Sequence, residues 1–401
     1  MMPHSGVVPP SRATRLAALS DEIAVVGIGE TDYRADYHAS RLGMRTTDAY
    51  GHAAAALREA LQDSGLERDT IDGLVLPLSL SYERLAEVCG INPTWASQAD
   101  APNAIIHALL AISAGLAETV AIVYGTDQRS AKTAYGGPNA MGGELYLSYV
   151  YFASWGLTSQ GALYGLMTRR YMELHDFTER DLAEVAVAQR AYAVMNERAV
   201  MQKPLTADDY LNAPYIAEPL RLYDYCIIND GGVAMILTTR DRAMRSSNRL
   251  VTIAGIGKAD ENTDATSLAP RLKTFYHDAH ATAAKQVFDS AGVDVSDIDV
   301  LGIYDSFSCH VPFALEGFGF CPIGEAGKVV RGNGIGPGGR IPVNTSGGHL
   351  SESYMHGWNH HPELVRQLRG TCGGRQVSDP RHAQFISDVA GNAVSIIYRG
   401  H

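Results

Sequence analysis

Cysteine is scarce in this 401-residue chain, and Cys89, Cys226, Cys309, Cys321 and Cys372 lie scattered with no Cys-x-x-Cys pair. That spacing is neither a disulfide framework nor a metal signature. Long apolar runs are also missing, so nothing approaches the ~20 residues that cross a bilayer. Residues 1–20 carry Pro9-Pro10, Arg12 and Arg15 but no apolar segment of the signal-peptide kind, and read as a flexible tail. Positive charge is short as well, with 33 Lys and Arg against 44 Asp and Glu, a formal net charge of -11. A nucleic-acid backbone needs clustered basic side chains, so such a partner is excluded. A coenzyme ester could still bind through a local basic patch. What remains is 46% apolar and 19% charged, a globular composition with room for two or three domains. The setting expected from these absences is soluble, reducing and cytoplasmic.

What is present is a faint internal repeat. Ile23-Ala24-Val25-Val26-Gly27-Ile28-Gly29-Glu30 is echoed by Val251-Thr252-Ile253-Ala254-Gly255-Ile256-Gly257-Lys258. Each reads as a buried strand ended by glycines and followed by a turn. A helix-like stretch follows each, Thr47 to Ser64 and Tyr276 to Ala291, with Gly65 and Gly292 in C-cap position. Apolar strands come next, after Ile71-Asp72-Gly73 and Ile298-Asp299-Val300. Two strand–helix–strand units in matching order imply duplicated α/β halves, 21–245 and 246–401. A segment from about 126 to 230, rich in glycine turns and tyrosine, interrupts the first half and contains an amphipathic helix near Arg180 to Arg198. Insertions of that length usually cover a site or present a partner surface.

Polar residues in glycine-rich surroundings mark the candidate chemistry. One stretch is Val343-Asn344-Thr345-Ser346-Gly347-Gly348-His349-Leu350-Ser351-Glu352-Ser353-Tyr354-Met355-His356-Gly357. A second is Gly302-Ile303-Tyr304-Asp305-Ser306-Phe307-Ser308-Cys309-His310. A third, Trp95 to Asn103, precedes a helix running to Ala114-Gly115, and Ile216 to Leu222, Gln367 to Gly370 and Gln384 to Val394 complete the pattern. Together these resemble the thiolase superfamily, in particular the thiolase-like lipid-transfer proteins of the sterol-carrier-protein-x type. Within that group the chain looks most like the steroid side-chain-cleaving aldolases. The resemblance runs from about Ile23 to Arg399 and matches least over Leu76 to Trp95.

The resemblance implies a duplicated α/β thiolase fold, a five-layered α-β-α-β-α core with an inserted loop domain. It also implies altered chemistry. The acyl-accepting cysteine position falls on Gln98, whose amide cannot form an acyl-enzyme, though its N–H could sit at the helix start as an oxyanion contact. The family's catalytic histidine position holds Tyr354, and the residue that helps hold the thioester oxygen aligns with Tyr304, followed by Asp305. The stretch matching the late catalytic cysteine has none, but Gly391 is placed to offer a backbone N–H. A tyrosine at a strand end ordinarily just packs. Two at both catalytic positions point instead to a base and an acid. Asn344 belongs to the same glycine-rich loop, and His356 is close enough in sequence to tune Tyr354.

Members of that branch cleave a β-hydroxyacyl-CoA by retro-aldol reaction, releasing a ketone and a short acyl-CoA such as propionyl-CoA. The residues suit this, since the reaction needs a base for the β-hydroxyl and a stabiliser for the enolate, not a covalent intermediate. A phenol with pKa about 10 costs roughly 4 kcal/mol to ionise at pH 7, so its neighbours must help. Which tyrosine is base stays open at this point. The resemblance further implies no prosthetic group and no metal, coenzyme A as part of the substrate, a homodimer, and a small zinc-ribbon/OB-fold partner in a two-plus-two complex. The rival readings are a non-catalytic acyl-CoA or lipid carrier and a degenerate thiolase or acyltransferase. Among weaker signals, His360-His361 reads as a solvated loop, Arg331 to Gly339 as a turn-rich hairpin tip, and Cys372 as structural or exposed. His310 and His349 are open between site and packing.

Overall fold

A computed structural model describes residues 12–45, 47–133, 155, 159–246, 248–260, 272–389 and 392–401. Its strands are β1 (Ile23–Glu30), β2 (Gly73–Leu76), β3 (Trp95–Gln98), β4 (Thr119–Asp127), a hairpin of β5 (Tyr215–Ala217) and β6 (Leu220–Arg221), then β7 (Asp230–Thr239), β8 (Val251–Asp260), β9 (Val300–Ile303), β10 (His382–Val389) and β11 (Asn392–Gly400). Nine of them form one mixed sheet in the order β3-β2-β4-β7-β1-β8-β11-β10-β9.

The sheet order displays the duplication. From β1 outward, β7 and β4 follow antiparallel, then β2 and β3 parallel. From β8 outward, β11 and β10 follow antiparallel, then β9 parallel. The place that β3 occupies in the first half is taken in the second by a single parallel bridge from Leu301 to Val343. The half-sheets meet through one pair, Ala24 with Thr252.

Alternation along the strands sends side chains to different cores. Ile23 and Val25 enter a central core, while Ala24 and Val26 enter an outer one beneath α1 (Ala49–Ser64). The central core also takes Ile105 and Leu109 from α2 (Ala101–Ser113) and Val251, Ile253, Val394 and Ile396 from the second half. Leu364, Val365 and Leu368 join it from a late helix described below. A third core lies outside the second half-sheet. It joins the insertion helices α3 (Gln160–Leu174) and α4 (Glu179–Val194) to α5 (His277–Ala291) and α6 (His310–Gly317). The remaining helices used here are α7 (Gly348–Ser351) and α8 (His360–Arg369). Read from outside in, α1, one half-sheet, α2 with α8, the other half-sheet and α5 are the five expected layers.

Several expectations are corrected. Gly27, Gly29, Gly255 and Gly257 are not turn residues; β1 and β8 run straight through them. A Cβ on Gly29 would lie 2.1 Å from the Ala56 carbonyl oxygen, and one on Gly257 2.1 Å from that of Ala283. The glycines therefore let α1 and α5 lie directly on their strands, the same solution in both halves. Both helices do end on left-handed glycines, Gly65 at φ 68° and Gly292 at φ 65°. Of the tail, residues 1–11 lie outside the described residues, and Arg12–Ala17 is a short helix with Leu16 against the central core. His360 and His361 are buried in the first turn of α8, because that helix forms the middle layer. Cys372 is buried as well, and Arg331 to Gly339 is a run of turns with no hairpin strands.

Candidate active site

The site forms where the duplicated strands end. Tyr304 is the first residue past β9, and its N–H donates to the Ile386 carbonyl on β10 at 2.8 Å. Tyr354 is fixed from the other side of the sequence, its N–H donating to the Ile227 carbonyl at 3.0 Å. These two anchors bring the phenol oxygens to 2.9 Å from one another, each residue only 7% exposed. The rings meet edge to face, with centroids 6.4 Å apart.

The glycine-rich loop supplies the support. Asn344 takes φ 53° and exchanges two side-chain hydrogen bonds with Ile303: the Ile303 N–H donates to Oδ1 at 2.7 Å and Nδ2 donates to the carbonyl at 3.0 Å. It thus pins the loop to the strand that ends in Tyr304. Asp305 is fully buried and accepts from the His349 N–H at 2.9 Å, at the start of α7. A side chain at Gly348 would collide with it, the Cβ falling 2.4 Å from Asp305 Oδ2. Gly357, at φ 90°, leaves room for the Tyr304 ring, whose Cδ2 would sit 2.8 Å from an added Cβ.

His349 is the shared wall. Its ring stands edge to face to both Tyr304 and Tyr354 at 4.9 Å. Burial, with His360 and His356 nearby, drives its pKa well below the usual imidazole value, so it is neutral. Its Nε2 accepts the Gly357 N–H at 3.0 Å, so the ring hydrogen lies on Nδ1, 3.3 Å from Asp305 Oδ1. Asp305, His349 and His360 place three donor atoms within 4.8 Å, a spacing that would suit a cation. The Nδ1 hydrogen bars that role to His349, and the cluster acts as a buried support for the phenols.

His356 touches the phenol pair directly. Its Nδ1 lies 3.4 Å from Tyr354 Oη and its Nε2 3.0 Å from Nε2 of Gln128. Burial pushes its pKa down to about 4, so this imidazole is neutral too. The Gln128 amide donates to Nε2, which leaves the ring hydrogen on Nδ1, directed at the phenol oxygen. Gln128 sits just past β4, at the opening of the insertion, and sequence inspection missed it. Tyr124 and Trp358, stacked with centroids 5.4 Å apart, back the same wall and were missed likewise.

The other expected residues fare differently. Gln98 ends β3 rather than starting α2, and its amide donates to the Leu80 carbonyl at 2.8 Å. The residue of the α2 first turn that reaches the site is Ala101, beside Gly357 and buried. Gly391 lies outside the described residues. None of the cysteines is an activated thiol: burial pushes Cys89 up to about 11 and Cys226 and Cys321 up to about 12, and raises Cys309 and Cys372 further. A sulfur nucleophile needs the opposite shift.

Comparison with known proteins shows what the chain as a whole is similar to. The family profile "Thiolase C-terminal domain-like" matches residues 239–397. A 17-hydroxy-3-oxo-4-pregnene-20-carboxyl-CoA lyase of Mycobacterium tuberculosis is 33% identical over 373 residues, 88% of this chain and 93% of that protein. A steroid side-chain-cleaving aldolase of Thermomonospora curvata is 29% identical over 402 residues, 94% of this chain and 97% of its own. Among solved structures, the Ltp2-ChsH2(DUF35) aldolase superposes with a TM-score of 0.85 at 27% identity, covering 95% of this chain and 98% of that one. The chain belongs to the steroid side-chain-cleaving aldolases, carbon–carbon lyases built on the thiolase fold.

Proposed function

We propose that the chain cleaves a β-hydroxyacyl-CoA bearing a steroid side chain, with Tyr354 as base and Tyr304 as acid. The substrate class follows from the mycobacterial relative's name, in which the hydroxyl on carbon 17 stands β to the thioester carbonyl attached at carbon 20. Scission of the bond between those carbons leaves a ketone and a three-carbon acyl-CoA. Tyr354 takes the β-hydroxyl proton, the carbon–carbon bond breaks, and the electron pair passes to the thioester as an enolate. Tyr304 protonates the α-carbon. A proton crossing the 2.9 Å bond between the phenols then restores both.

The observation that carries this order is the donor on Tyr354. His356 directs Nδ1–H at its oxygen, and Tyr304 can donate to the same oxygen. Two donors stabilise phenolate there and lower part of the roughly 4 kcal/mol that an isolated phenol requires at pH 7. Tyr304, which shares the 2.9 Å bond with that oxygen, is assigned as the acid. No prosthetic group enters these steps; coenzyme A belongs to the substrate. Asn344 and Asp305 act through the loop and the strand end.

The test is incubation with a tertiary β-hydroxyacyl-CoA and detection of ketone and propionyl-CoA by mass. Tyr304→Phe and Tyr354→Phe each lower turnover roughly 10²–10⁴-fold, the usual worth of a placed acid or base, with ester binding retained. Unchanged turnover in either variant would sink the assignment. The solved aldolase of similar fold is a complex with a DUF35 protein, which supports a two-plus-two assembly of this chain, as a homodimer, with a small zinc-ribbon/OB-fold partner. Light scattering with and without that partner checks it.

A further inference from the structure

Beside the phenols runs a second chain of polar side chains that carbon–carbon scission does not use. Ser306 Oγ lies 3.1 Å from His310 Nε2, and His310 Nδ1 lies 2.7 Å from Asp388 Oδ1. The other Asp388 oxygen, Oδ2, is 3.0 Å from His280 Nε2. His280 Nδ1 in turn is 3.2 Å from the Phe313 carbonyl, which can only accept. Because that carbonyl only accepts, His280 carries a hydrogen on Nδ1 and its Nε2 side faces Asp388. Burial alone would raise the Asp388 carboxyl, but the two imidazoles set against its oxygens hold it below the usual range, so it stays ionised.

That arrangement fixes the state of His310. Its Nδ1 hydrogen is given to Asp388, and its Nε2 lone pair faces the Ser306 hydroxyl. This is the tautomer and orientation in which an imidazole accepts a serine proton. Tyr164 at 4.5 Å and Phe307, stacked at 6.1 Å, hold the ring in place. Exposure separates the serine from its partners. Ser306 is 7% exposed, like the two phenols, whereas His310, His280 and Asp388 are at most 1% exposed. Ser306 also follows Tyr304 by two residues, at the same strand end.

We propose that Ser306 is a nucleophile toward acyl thioesters, with His310 as its base and Asp388 and His280 as positioning residues, giving the chain a thioester hydrolase activity beside its lyase activity. The substrate class rests on the function proposed above. The serine proton passes to His310 Nε2 as Oγ bonds to the carbonyl carbon. The carbon–sulfur bond then breaks, and the leaving thiolate takes that proton. Water repeats the cycle on the acyl-serine, releasing a carboxylic acid and restoring Ser306. Net, thioester and water give acid and thiol, with no other reactant.

Propionyl-CoA is the probe, because without a β-hydroxyl it cannot undergo retro-aldol cleavage. Its hydrolysis therefore stands or falls independently of ketone release from a β-hydroxyacyl-CoA. The full chain is expected to release free coenzyme A and to carry a propionyl or fluorophosphonate adduct on the peptide containing Ser306. Ser306→Ala lowers the release by roughly 10²-fold or more, with its melting curve checking the fold. Asp388→Asn slows release while the adduct stays on Ser306. Equal release from Ser306→Ala, or a wild-type chain with neither release nor adduct, overturns the proposal; the adduct measurement needs no variant.

Discussion

A phenol is a weak base at neutral pH, so the atoms around Tyr354 Oη decide whether it can act. Gln128 matters there without touching it. Removing its amide in Gln128→Leu frees His356 to change tautomer and withdraws a donor from the phenol. A hydrogen bond to a charged group contributes about 1.5–3 kcal/mol, so kcat is expected to fall about 10–10²-fold with KM unmoved. A rise in KM with kcat intact would show instead that Gln128 only binds ester. The pH profile gives an independent reading. His356, lowered by burial to about 4, is neutral across the working range and becomes charged only as pH falls through that value. His356 therefore contributes no step near the ordinary imidazole value to kcat, and its own charging sets in only on approach to pH 4. The two tyrosines were legible in the sequence because each stands in a short motif whose spacing survives. Gln128 was not, since it meets His356 across 228 residues and no local pattern announces it.

At the scale of elements, the duplication was legible and its glycines were misread. Alternating β-branched residues followed by glycine pairs look like strand then turn, because glycine favours turns in isolation. Here tertiary packing overrides that preference: the helix backbone lies where a side chain would be. Gly29→Ala puts a Cβ 2.1 Å from the Ala56 oxygen, so β1 or α1 must move, and overpacking of this kind costs about 1–3 kcal/mol. Denaturant titration should show the midpoint falling with little change in slope. Gly357→Ala gives a different signature. Its Cβ would press on the Tyr304 ring and its φ of 90° is unfavourable to alanine, so turnover should fall by more than stability. The His360-His361 pair was misjudged for a related reason: two adjacent polar rings look solvated until α8 is known to be a middle layer. Burial of both follows from the layer order, which no single stretch encodes.

For the molecule as a whole, the two halves share too much to be independent. Among the described residues their sheets pair in the ladder at a single position, yet the central core draws on both. Ile105 and Leu109 come from the first half, and Leu364, Phe385 and Val394 from the second, with no separate inner face left to either. A duplicated sequence suggests two units that melt apart. The shared core implies a single cooperative transition instead, since exposing α2 removes the packing of α8. Leu364→Ala, at a buried site in that core, should cost about 2–5 kcal/mol and shift the whole transition, probed equally by signals from either half. Calorimetry that resolved two transitions, or a shift confined to the second half, would show that the halves fold separately. It would also undercut the site, because Tyr304 is held by the second half-sheet while Tyr354 hangs on Ile227 and His356 on Gln128, both from the first. The phenol pair exists only while both halves are closed on one another.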